Sequence, residues 1–136
     1  MNLLNLIALV LGSISMPGTA HAESIYTCKE EKSVTIGWEY GSTLSKSAMK
    51  AEANDAKEPA ILTFIVQDKR AVLKGNSGQS LLKKISKNNF LEESEVGNVF
   101  LWTVFPAENN VPTYIFHQKA YKLAVPFSIT VAYRCQ

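Results

Sequence analysis

Residues 32–40 read KSVTIGWEY, in which Val34, Ile36, Trp38 and Tyr40 alternate with Ser33, Thr35, Gly37 and Glu39. Successive side chains of an extended chain point to opposite faces, so this spacing predicts a strand with one apolar face. Comparable segments recur downstream: AILTFIV at 60–66, RAVLK at 70–74, QSLLKKIS at 79–86, a short one from Phe90, VFLWTVF at 99–105, a Tyr-Ile-Phe stretch within 113–123, and FSITVAYRC at 127–135. Residues 25–29, IYTCK, either begin the first strand or form a short one of their own. Polar clusters separate these segments, among them Gln67-Asp68-Lys69, Gly75-Asn76-Ser77-Gly78 and Lys87-Asn88-Asn89. About eight short strands with turn signals every 8 to 12 residues predict an all-β, mostly antiparallel domain, a barrel or a sandwich.

The ends of the chain favour the barrel. An eight-stranded meander leaves two open edges, which invite aggregation, and pairing the last strand with the first removes both. The two cysteines, Cys28 and Cys135, lie in those two segments. A barrel brings them together without further assumptions, and a β-sandwich is the alternative. One structural bridge is expected, since neither cysteine belongs to a C-x-x-C motif or has a histidine near it in sequence.

Residues 42–59 depart from the pattern. They are rich in Ala, Lys, Ser and Glu, carry only Leu44 and Met49 as larger apolar residues, and end at Pro59. Good helix propensity with a thin apolar stripe predicts a short solvated helix or a mobile insert.

The N-terminus reads as an export signal. Residues 3–11 are LLNLIALVL, Gly12, Pro17 and Gly18 follow, and Ala20-His21-Ala22 fits the A-x-A pattern of a signal peptidase site. The apolar run is far short of the roughly 20 residues a membrane span needs. The expectation is a cleaved signal at 1–22 and a single domain over 23–136, periplasmic or secreted and not integral to a membrane. Such a compartment is oxidising, in keeping with a Cys28–Cys135 bridge.

Composition excludes several function classes. Hydrophobic residues make up 46% and charged residues 19%, a globular balance. The formal net charge is +2, from 14 basic and 12 acidic residues, too even for a nucleic-acid binder working by phosphate neutralisation. No nucleophile–base motif is visible, so no enzyme and no cofactor are expected. His117 stands between Phe116 and Gln118 and reads as a partly exposed strand residue. With both cysteines bridged it does not make a metal site, because zinc needs three or four ligands. Glu92, Glu93 and Glu95 read as a solvated strand face, and Gly75-Asn76-Ser77-Gly78 as a hairpin turn.

Several stretches carry a resemblance: Tyr26-Thr27-Cys28 with Glu31-Lys32-Ser33, then Leu73-Lys74-Gly75-Asn76-Ser77-Gly78, Gly97-Asn98 leading into Leu101-Trp102-Thr103, Gln118-Lys119-Ala120-Tyr121, and Tyr133-Arg134-Cys135. With these the chain resembles a group of small uncharacterised exported proteins of Gram-negative bacteria, which implies export and transfers no activity. In outline the expected barrel is similar to the calycins (lipocalins and their relatives) and to periplasmic lysozyme inhibitors. Gly37-Trp38 departs from the lipocalin G-x-W motif by lacking the intervening residue.

The aromatic residues exceed what a bland small core requires. A non-enzymatic barrel that binds a small apolar ligand or a protein partner is therefore expected. Trp38, Phe64, Trp102 and Tyr133 are the candidate lining of a ligand cavity. A homodimer is a further form of partnership, and an inhibitor of an envelope or host enzyme, acting through a surface loop, is the alternative.

Overall fold

The computed structural model describes residues 24–39, 48–93, 97–122 and 126–136, the side chains of Trp38, Glu39, Ala48, Lys122 and Pro126 excepted. The expected signal at 1–22 and the first part of the 42–59 insert lie outside the described residues.

Every regular element described is a strand. They are β1 (Ser24–Glu39), β2 (Ala48–Asp55), β3 (Ile61–Val66), β4 (Arg70–Gly75), β5 (Gly78–Ser86), β6 (Asn89–Glu92), β7 (Val99–Phe105), β8 (Tyr114–Lys122) and β9 (Pro126–Cys135). All pairings are antiparallel, and β3 to β9 follow one another as sheet neighbours. β9 then pairs with β1, and β1 with β3, which closes an eight-stranded barrel of calycin-like outline. The ends meet as their cysteines suggested: Cys28 lies opposite Cys135 and the two form a disulfide.

β2 is the ninth strand and stands outside the closed ring. It pairs with residues 32–39 of β1, along the same edge that β3 occupies over 24–29. The segment between them carries Pro59, which has no amide hydrogen to give a ladder. Two backbone hydrogen bonds still tie it to β1, Ala56 N–H to the Glu31 carbonyl (3.0 Å) and Glu30 N–H to the Ala60 carbonyl (2.8 Å). Over residues 48–55 a strand thus replaces the helix that was one of the two forms, helical or mobile, expected of the 42–59 insert. Ala, Met, Lys and Glu are good helix formers, but propensity is a small term per residue, and an adjacent unpaired strand edge outweighs it.

A second correction concerns β1. The register against β9 steps from Glu30↔Tyr133 to Lys32↔Ala132, a β-bulge at Glu31. Cys28 lies on the inner face, so without the extra residue Val34 and Ile36 would follow it inward. With it, Ser33 lies opposite the buried Val131, and Val34 and Ile36 turn outward, 40% and 45% exposed. A one-residue slip inverts the side chains beyond it, and the face carrying Val34 and Ile36 becomes an outer face.

The interior is filled at mid-height. Phe64, Phe90, Leu82, Ile115 and Ala71 are fully buried, and the Phe64 and Phe90 rings meet edge to face at 5.3 Å. Hairpin β4–β5 turns over Asn76-Ser77 with Gly75 opposite Gly78, and the positive φ falls on Gly78 (122°), just after the two turn residues, where glycine adopts it without a Cβ clash. Along β7, Val99 and Phe105 stay exposed, Phe105 resting on Phe116 at 4.9 Å between ring centroids.

Candidate functional site

One end of the barrel is open. Beyond the packed waist lies a concavity of about 350 Å³, lined by Leu62, Leu73, Glu92, Trp102, His117, Lys119 and Tyr133 and by the β4–β5 turn. Each lining side chain is placed by strand parity. Trp102 on β7 lies directly opposite His117 on β8, and His117 opposite Val131 on β9. Lys119, two residues further along β8, shares the inner face with His117.

The groups interlock. The His117 imidazole stacks on the Trp102 indole at 3.6 Å with 16° between planes. Tyr133 approaches the same indole at 5.9 Å. Trp102 Nε1–H donates to Glu92 Oε2 at 3.1 Å, which anchors the carboxylate at the rim. The same Oε2 is 3.7 Å from His117 Nε2, beyond hydrogen-bond length.

His117 is buried, 6% exposed, which corrects the expectation of a partly exposed residue. Among the described residues its Nε2 is the buried side-chain nitrogen or oxygen atom without a hydrogen-bond partner. Burial, followed by the charge of Lys119, pushes its pKa down to about 3. A carboxylate 3.7 Å away would ordinarily favour the imidazolium. Burial outweighs it, the ring is neutral at pH 7, and the contact with Glu92 is not an ion pair. Tyr133 is pushed the other way, up to about 12, by burial and by the Glu30 carboxylate, so its hydroxyl keeps its proton.

This buried imidazole makes the fold acid-sensitive. The unfolded chain takes up the His117 proton near pH 6.5, whereas the folded chain resists it down to about 3. In between, the unfolded state binds more protons, so stability falls as the pH falls through that window. The maximal slope is about 1.4 kcal/mol per pH unit, which gives a loss of about 2 to 3 kcal/mol between pH 6.5 and 4.5. His117→Gln should remove that component from urea unfolding curves measured at the two pH values. Equal pH dependence in the variant and the wild type would refute the assignment.

Of the four residues expected to line a cavity, the structure brings Trp102 and Tyr133 into the opening. Phe64 lies below it, fully buried and 5.9 Å from Trp102, as part of the core. The side chain of Trp38 is outside the described residues. The sequence reading gives Glu92 to a solvated strand face and His117 to a partly exposed strand position; the structure corrects both, with Glu92 part-buried against Trp102. The available signal for His117 was its parity with Ile115, but Tyr114 and Phe116 offer an equally apolar face on the opposite side.

A larger depression, about 790 Å³, lies beside the disulfide, lined in part by exposed Lys29, Ile61 and Arg134. It contains no buried polar atom lacking a partner among the described residues, so the open barrel end is the better candidate. No family model matches the chain, and comparison with curated proteins and with solved structures likewise returns no match.

Proposed function

We propose that this chain is an exported, non-enzymatic binding protein that takes a small ligand at the open end of its barrel. The carrying observation is the neutral, buried His117 Nε2, without a hydrogen-bond partner, beside a carboxylate with lone pairs to spare. A buried polar atom left unpaired costs free energy that a bound group can recover. A polar ligand group reaching Nε2 and Glu92 would satisfy both, while Leu62, Leu73 and the aromatic rings offer apolar contact. The volume suits a compact, largely apolar molecule, at the small end of ligand sites.

Two further points support the reading. Among the described residues no hydroxyl or thiol is hydrogen-bonded to His117 Nε2, and both cysteines are committed to the disulfide. The disulfide fits an oxidising compartment, and among the described residues no helix is long and apolar enough to cross a membrane.

Native mass spectrometry of the protein purified from the periplasm of its own host tests this. The wild type should carry a small-molecule mass that is lost on gentle activation, and His117→Leu, which removes the polar ring nitrogen at similar volume, should carry at least about tenfold less. A wild type that is wholly free of bound mass, or an occupancy equal in the variant, would overturn the proposal.

A further inference from the structure

We propose that two copies of this chain associate edge to edge through β2, in an antiparallel register centred on Ala51. β2 pairs with β1 on one side, and among the described residues its other edge has no strand beside it. An open edge of this kind presents ladder donors and acceptors to another strand. Residues 49–55 of β2 are all exposed. The ribbon also shows an apolar outer face, with Val34 opposite Ala53, Ile36 opposite Ala51, and Met49 half exposed beside them.

The occupant is argued from the strand's own sequence, AMKAEAND. Two identical strands related by a two-fold axis pair antiparallel, each residue meeting the one equally far on the other side of the axis. With the axis at Ala51, Lys50 faces the partner's Glu52 and Glu52 faces the partner's Lys50. Met49 faces the partner's Ala53 on the opposite face. Both faces are then matched, charge with opposite charge and apolar with apolar. The neighbouring two-fold registers fail this test: an axis at Lys50 sets lysine against lysine, and one at Glu52 sets glutamate against glutamate. The sheet would run unbroken from one barrel to the other, with Ile36, Ala51, the partner's Ala51 and the partner's Ile36 in one outer row. A single edge strand buries little area, so the dimer is expected to be concentration-dependent.

Sedimentation velocity over a dilution series of the full mature chain tests the proposal. The wild type should shift from monomer to dimer as concentration rises. Lys50→Glu places glutamates against both glutamates, and Glu52→Lys places lysines against both lysines. Each variant alone should dissociate about tenfold more readily. Mixed together, they restore opposite charges at both positions, and the dimer should return. Both side chains are exposed, and a circular dichroism spectrum checks that the variants fold. A wild type that stays monomeric throughout overturns the proposal, as does a dimer indifferent to the variants or one that mixing fails to rescue. A wild type that binds only a different protein through this edge is also the first of these failures. None of these outcomes depends on ligand binding at the barrel mouth.

Discussion

Replacing both cysteines by alanine should lower the unfolding free energy by about 3 to 5 kcal/mol, among the largest losses expected from this chain. The bridge joins residues 107 apart in sequence, so it closes residues 28–135, which hold nearly all of the described strands, into one loop. In the chain-entropy account, a loop of that length restricts the unfolded ensemble by about 4.7 kcal/mol. Total stabilities of small domains are about 5 to 15 kcal/mol, so the loss is a large fraction of the whole. The fold should nevertheless persist in the cold without the bridge. β1 and β9 pair over nine positions from Cys28 to Gly37, and the sulfurs hold only one end of that ladder. Urea unfolding of the double variant against the oxidised wild type checks this. A loss under about 1 kcal/mol would mean that the ends are already held together in the unfolded state.

Phe64→Ala should cost about 3 to 5 kcal/mol, through lost burial and the cavity left behind. Phe64 has no exposed surface, meets the edge of Phe90 at 5.3 Å and lies 5.9 Å from Trp102. Its ring therefore fills the waist and forms the floor under the indole that carries His117 and Glu92. Truncation should loosen the barrel mouth as well as the core, seen as a red shift of the Trp102 emission. Phe105→Ala, by contrast, alters a ring that is 47% exposed, and should cost about 1 kcal/mol or less. Comparable losses at the two positions would contradict the filled interior.

The elements that sequence disclosed best are those whose signal is local. Period-two alternation and turn clusters place β3 to β9 within a few residues of their observed bounds, and two cysteines at the ends of an even strand count point to closure. The errors arise where a distant partner decides. The bulge at Glu31 is one extra residue set by the register against β9, and nothing within KSVTIGWEY announces it. Read without it, Val34 and Ile36 go to the core. β2 is helical by propensity and extended because β1 offers it an edge. The site divides in the same way. Trp102 and Tyr133 are found by size and apolar character, the traits a sequence displays. His117 and Glu92 act through their geometry around one indole ring, which three separate strands create.

The closure of the barrel is tested most directly by nuclear Overhauser contacts across β1 and β9 in the Cys28→Ala/Cys135→Ala double variant, where no covalent link enforces them. Contacts between Thr35 and Ile129, between Ser33 and Val131, and between Glu30 and Tyr133 should appear together, with the one-residue step at Glu31 between the second and third pairs. Intact contacts from β8 to β9 beside an unpaired β1–β9 seam would show an open sheet and contradict the barrel.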